Sequence, residues 1–194
     1  MELANKKDAN TPCFWDEYWG GERSKYEGHP CPDVISMLGL LSRGCNRALD
    51  IGCGAGPYFP YIHAAHIDGI DISAEGVARA QAAYPAATVV QGDISQRLPY
   101  PDSCFDLVYC GEVLEHVREP KLLVDEIHRV LVLRGVCVLN TPFENKIPAE
   151  SHIWYICRAD LVNLFLDFKR ASIYRFDNSP TKDWWEHFLV VAVK

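Results

Sequence analysis

Three glycines stand at alternate positions in the run Leu49-Asp50-Ile51-Gly52-Cys53-Gly54-Ala55-Gly56-Pro57. A residue without a Cβ lets the backbone turn sharply and come close to a ligand. The apolar residues before the turn read as a strand. Pro57 suits the first position of a helix, where its missing N–H would have no partner anyway. A turn of this kind holds a ligand at the carboxyl end of a parallel strand. The pattern does not fit a pyrophosphate. Counted from Gly52, the last glycine of the dinucleotide fingerprint falls on Pro57, and counted from Gly54 it falls on Phe59. No Gly-Lys-Ser/Thr follows either, which excludes the P-loop.

Two acids complete a pocket. Asp71, in Gly69-Ile70-Asp71-Ile72-Ser73, ends the next apolar stretch. An acid there can accept hydrogen bonds from both hydroxyls of a ribose, and Ser73 can cap the following helix, which leaves Asp71 for the sugar. Asp93, in Gln91-Gly92-Asp93-Ile94, follows a third strand and can accept from the exocyclic amine of adenine. Ile72 and Ile94 would flank the ring. Glycine turn, ribose acid and adenine acid thus sit on three consecutive strand ends, as one nucleoside pocket requires.

These tips need a scaffold of alternating strands and helices. Strands are expected over 47–51, 66–71, 87–91, 105–109 and 136–140, with helices over 57–65, 74–84, 120–133 and 159–166. Leu123, Ile127, Val130 and Leu131 form the apolar stripe of the third helix, and Gly135 is its expected stop. Two closing strands, 171–176 and 188–193, are joined by a short stretch without a helical pattern and predict an antiparallel terminal pair. Such alternation implies a parallel sheet covered on both faces.

Composition sets the bounds. The chain has 194 residues, 48% hydrophobic and 23% charged, with a net charge of −7. That suits one compact domain over 1–194, with 1–44 an N-terminal cap and 45–194 the core. An acidic chain repels phosphate backbones, so nucleic acid is not an expected partner. The longest apolar run, 188–193, is too short to span a bilayer. Eight cysteines contain no C-x-x-C pair and no Cys/His cluster of zinc-like spacing. They read as reduced thiols of a cytoplasmic protein, and no metal site is expected.

The ordered set of motifs resembles the class I S-adenosylmethionine-dependent methyltransferases. It comprises the glycine turn, Gly69-Ile70-Asp71-Ile72-Ser73, Gly92-Asp93, Leu98-Pro99-Tyr100-Pro101-Asp102-Ser103-Cys104-Phe105-Asp106-Leu107-Val108, Glu112-Val113-Leu114-Glu115-His116-Val117 and Glu126-Ile127-His128-Arg129-Val130-Leu131. The resemblance covers roughly 45–176. It implies a Rossmann-like α/β fold, three layers around a seven-stranded, mostly parallel sheet with an antiparallel last strand. It also implies S-adenosylmethionine as cofactor. By the same resemblance Asp50 and the backbone at Gly52, Cys53 and Gly54 hold the methionine part, and the carbonyl near Cys110 faces its ammonium. Asp71, Ile72, Asp93 and Ile94 keep the adenosine roles read above.

A sulfonium is already a strong electrophile, so the protein must hold a nucleophile in line and exclude water. A hydroxyl or ammonium nucleophile also needs a base. His116, four residues after Glu112 and so on one face with it in a helix, is a candidate base or substrate contact. Local packing is the alternative. His152 is a second candidate in the connector after the fifth strand, with simple exposure as its alternative. Asn140-Thr141-Pro142-Phe143 superficially resembles the motif of adenine amino-group methyltransferases, but Thr141 stands at its first proline and the activity is not carried over. His152-Ile153-Trp154-Tyr155 before a helix is similar to the corresponding region of many small-molecule methyltransferases. The aromatic segment Phe14-Trp15-Asp16-Glu17-Tyr18-Trp19, with Tyr26 and His29, either walls in a substrate or packs on the sheet. Trp184-Trp185 would cover a sheet edge or form a dimer contact. The expected function is methyl transfer to a small-molecule or carrier-bound acceptor. The alternatives are methylation of a protein side chain and cofactor binding without catalysis.

Overall fold

The computed structural model describes residues 1–3, 10–21, 30–143, 151–177 and 186–194. Tyr26, His29, Trp184, Trp185 and most of the connector after the fifth strand lie outside the described residues. The elements are β1 (Glu2–Leu3), α1 (Pro12–Gly20), α2 (Pro32–Leu41), β2 (Arg47–Ile51), β3 (His66–Asp71), α3 (Ala74–Ala83) and β4 (Thr88–Gln91). They continue with β5 (Phe105–Gly111), α4 (Pro120–Val130), β6 (Leu131–Pro142), β7 (Trp154–Tyr155), α5 (Arg158–Leu164), β8 (Arg170–Asp177) and β9 (Glu186–Val193).

Seven strands form one sheet in the order β4-β3-β2-β5-β6-β9-β8, and β1 pairs with β7 in a separate two-stranded ribbon. β2, β3, β4, β5 and β6 run parallel, while β9 is antiparallel to both β6 and β8. This is the expected Rossmann-like sheet with its antiparallel last strand. Successive residues point to opposite faces, so each strand serves two cores. Leu49, Ile51, Val108, Cys110 and Leu139 pack on the side of α4 and α5. Ala48, Leu107, Tyr109 and Val138 pack against Val34 and Leu38 of α2.

Local chemistry sets the helix starts. Pro12, Pro32 and Pro120 stand at the first turns of α1, α2 and α4. The Thr11 hydroxyl caps α1 by accepting from the Phe14 amide, and Ser73 caps α3 by accepting from the Gly76 amide.

Two expected helices differ. The stretch 57–65 is a series of turns around one 3-10 turn, Phe59–Tyr61. Pro60 sits inside it, without an N–H and restricting the residue before it, so an α-helix cannot run through. The helix expected over 120–133 ends at Val130, and Leu131 already pairs with Phe105 as the first residue of β6. Gly135 is therefore not a helix stop but a strand residue, and Arg134 takes the positive φ of 68° that turns the chain there.

Candidate active site

The glycine turn is built as backbone geometry demands. Gly52 and Gly54 have φ of 70° and 48°, a region that side chains rarely tolerate. Space excludes them as well. A Cβ on Gly52 would lie 2.3 Å from Val113 Cγ2, and one on Gly54 would lie 1.9 Å from the Trp19 ring. The turn is stitched to β3, since the amides of Gly52 and Cys53 both donate to the Ile70 carbonyl.

Asp71 finishes that stitching. Its Oδ2 accepts from the Gly54 amide at 2.7 Å and its Oδ1 from the Ser73 amide at 2.8 Å. Ser73 is the helix cap, as expected, yet Asp71 is not idle. Both its oxygens already hold backbone, and any ribose contact uses the remaining lone pairs. Burial pushes its carboxyl above the ordinary range, and the amides work against that shift. Asp50, one strand over, is 2% exposed and its Oδ2 has no hydrogen-bond partner. Burial, and after it the charge of Asp71, raise its carboxyl well above the usual value.

α1 covers this turn. Asp16 accepts from the Ser73 hydroxyl at 2.6 Å and from the Glu75 amide at 3.1 Å, which fixes α1 on the start of α3. Trp19 then lies on Gly54, and Trp15 packs its edge on His116 with ring centroids 5.1 Å apart. The aromatic segment thus walls the pocket rather than packing on the sheet.

Beyond the turn the strand ends of β5, β6 and β9 bring together polar groups far apart in sequence. Tyr109 Oη donates to Asn140 Oδ1 at 2.8 Å, and Asn140 Nδ2 donates to Glu112 Oε1 at 2.7 Å. His187 Nδ1 lies 3.0 Å from the same Glu112 oxygen. Glu112 holds this place with a φ of 54°, a strained value for a glutamate. A helix carrying Glu112 and His116 on one face does not form. Residues Leu114–His116 are a single 3-10 turn, and the carboxylate beside His116 is Glu115, its Oε1 3.8 Å from Nε2. His116 Nδ1 lies 2.9 Å from the Ser151 carbonyl, and burial lowers its pKa to about 4. His152 stacks edge-on against His116, centroids 4.9 Å apart.

All of this opens on one cavity of about 1380 Å³. Its lining includes Asp50, Gly52, Cys53, Asp71, Ile72, Asp93, Ile94, His116 and His152. The sequence-predicted residues therefore converge, with two exceptions. Gly54 lies under Trp19. Cys110 is wholly buried in the core, its backbone in register with Ile51 and Leu139, while Gly111 and Glu112 reach the lining. Asp93 is held locally, accepting from the Ser95 amide at 2.9 Å. Sequence reasoning missed His187, Asn140 and Tyr58, which also line the cavity. Asn140 at the end of a strand was a readable signal, whereas His187 shows only once β9 is placed beside β6.

Comparison with known proteins agrees with this geometry. Residues 49–139 match the family described as methyltransferase domain. Residues 49–139 carry the features of a class I S-adenosylmethionine-dependent methyltransferase domain. It is 32% identical over 143 residues to a malonyl-[acyl-carrier protein] O-methyltransferase of Erwinia billingiae, an alignment covering 71% of this chain and 55% of the relative. It is 31% identical over 139 residues to a ubiquinone biosynthesis O-methyltransferase of Psychrobacter cryohalolentis, covering 67% and 51%. The chain thus spans about half the length of these curated relatives. The fold is shared with the N-methyltransferase NodS of Bradyrhizobium japonicum in complex with S-adenosyl-L-homocysteine, at a TM-score of 0.78 and 15% identity over 97% of this chain and 99% of NodS. The cofactor of the methyltransferase domain is S-adenosylmethionine. The lining fits it. This cofactor is cationic at sulfur and at its amino group, and around the glycine turn the cavity presents Asp50, Asp71 and Asp93. The unpartnered Asp50 oxygen is an acceptor in want of a cationic donor.

Proposed function

We propose that this protein transfers a methyl group from S-adenosylmethionine to a hydroxyl oxygen of a small-molecule or carrier-bound acceptor. The observation that carries the reading is the unpartnered, buried Asp50 oxygen beside a glycine turn in an acid-lined cavity. Asp50 and the backbone at Gly52 and Cys53 hold the methionine ammonium. Asp71 takes the ribose hydroxyls, Asp93 the adenine amine, and Ile72 and Ile94 the faces of the ring. Bound there, the cofactor supplies an electrophilic methyl group on a sulfonium.

The residues of the chain supply the rest. Glu112 accepts the N–H at His187 Nδ1, which leaves Nε2 as the proton acceptor. His187 Nε2 takes the acceptor's hydroxyl proton as its oxygen attacks, and Glu112 stabilises the resulting imidazolium. Asn140, held by Tyr109, keeps Glu112 in place. A base argues for a hydroxyl acceptor over a carboxylate, which is already ionised and which the acidic lining repels. Trp15 and Trp19 exclude water above the site. The relatives named above are both O-methyltransferases, which supports an oxygen acceptor; the malonyl group named for one of them offers a carboxylate, so the choice of a hydroxyl rests on the base. A reducing, cytoplasmic setting suits eight cysteines none of which forms a disulfide, and among the described residues no helix is long and apolar enough to cross a membrane.

The test is transfer of radiolabelled methyl to a panel holding a phenol, a catechol, a malonyl carrier protein and a basic protein. Label in an ether of the phenol or catechol is expected. Label only in a base-labile ester or in protein would overturn the hydroxyl assignment, and absence of cofactor binding in calorimetry would overturn the whole reading.

A further inference from the structure

Three side chains lining the cavity have a geometry that methyl transfer as described does not use. Glu115, His116 and His152 each offer one ligand atom, and these atoms all lie within 4.8 Å of one another. We propose that they bind a divalent transition-metal ion.

The first argument is the state of Glu115. It is 2% exposed, and its Oε1 is fully buried without a hydrogen-bond partner. A carboxylate oxygen left so in a protein interior is costly unless a cation meets it. That oxygen faces His116 Nε2. The second argument is the state of His116. A carbonyl can only accept, so Nδ1 must carry the proton in its contact with Ser151. Nε2 is then left with its lone pair toward the cluster, the tautomer a metal ligand needs.

The third argument is the support behind the ligands. Thr141 Oγ1 donates to the other oxygen of Glu115 at 2.9 Å, fixing the carboxylate's rotation. The Ile153 amide donates to the Glu115 carbonyl at 2.8 Å, and Trp154 Nε1 donates to the Val117 carbonyl at 2.9 Å. These bonds lock the segment carrying His152 against the turn carrying Glu115 and His116. Ligands about 2.1 Å from one ion sit roughly 3 to 3.5 Å apart, so side-chain rotation must close the widest separation by roughly 1.5 Å. Two imidazoles and one carboxylate suit Mn²⁺, Fe²⁺, Co²⁺ or Zn²⁺ rather than the all-oxygen shells of Mg²⁺ and Ca²⁺. The open positions would face the cavity. Given the methyl-transfer reading, they would select an acceptor with two adjacent oxygens, such as a catechol or vicinal diol. The metal site itself does not depend on that reading.

The experiment uses Mn²⁺, which avoids the thiols that Zn²⁺ would seek. The whole metal-free protein is titrated and free Mn²⁺ is followed by electron paramagnetic resonance. Saturable binding of one ion per chain is expected, with at least a tenfold loss of affinity in His152→Ala and in Glu115→Gln. Both variants should bind S-adenosylhomocysteine within about twofold of the parent, which shows that they fold. Absence of saturable binding, or binding that survives both substitutions, would overturn the site. Mn²⁺ binding without any S-adenosylhomocysteine binding would leave the metal site standing and remove the methyl-transfer reading.

Discussion

The Asp71 carboxylate bridges two structural tasks: one oxygen holds the Gly54 amide of the glycine turn and the other holds the Ser73 amide at the start of α3. Alanine at this position would leave two buried amides without acceptors. Each unmet buried group costs about 1 to 3 kcal/mol, offset in part by removal of a carboxylate whose burial is itself unfavourable. Asp71→Ala is therefore expected to lower the denaturant midpoint and to weaken cofactor binding at least tenfold. Asp71→Asn keeps one acceptor and turns a second donor toward the other amide, so it should recover part of the stability and little of the binding. Chemical denaturation and calorimetry on the same samples separate the two effects.

Asp50 predicts a pH dependence of definite sign. Its folded pKa lies well above the ordinary carboxylate value. Protonated Asp50 thus stabilises the fold, fully at pH below about 3.9, and that contribution fades as pH rises through the raised value. Asp50→Asn is neutral throughout. Its melting temperature should match the parent in acid and gain on it as pH climbs toward 8. Saturating S-adenosylmethionine should reverse the order at neutral pH, because the cationic cofactor stabilises the parent and not the variant. A variant that loses ground as pH rises would contradict a buried, unpaired Asp50.

Much of this was legible in the sequence, and what was not has a physical reason. The strands 47–51 and 66–71 were readable to the residue, because their apolar runs end in glycine or aspartate. The cofactor side of the cavity comes from consecutive strand ends, so local motifs carry it. The acceptor side does not. His187 reaches Glu112 only through the antiparallel pairing of β9 with β6, 75 residues apart. His152 reaches His116 through two backbone-directed bonds that no spacing announces. Pro57 suits a helix start, but Pro60 three residues on limits the stretch to one 3-10 turn, and α4 ends at Val130 because Leu131 already pairs with Phe105 in β6, which no local signal announces.

The contact of Trp19 with Gly54 makes a coupled pair. Gly54→Ala places a Cβ into the indole ring and a side chain at φ 48°. The left-handed backbone alone costs about 1 to 2 kcal/mol. The single variant should lose more than that, and Trp19→Ala/Gly54→Ala should recover the steric part only. A double-mutant cycle in urea measures it. A coupling within about 0.5 kcal/mol of zero would show that α1 does not rest on the turn in solution.

The last expectation concerns the pair His187 and Glu112. General base catalysis contributes typically about 10² to 10⁴ in rate. His187→Ala is expected to lower kcat by that order, with cofactor affinity within twofold of the parent because His187 is on the acceptor side. Glu112→Gln keeps an oxygen for His187 Nδ1 and loses the charge that stabilises the imidazolium, so its kcat should fall less. A thiol acceptor, ionised at mildly alkaline pH, needs no base, and its rate should be nearly insensitive to His187→Ala. Measuring both acceptors with one variant distinguishes a base from a residue that merely shapes the pocket, since loss of shape would slow the two alike.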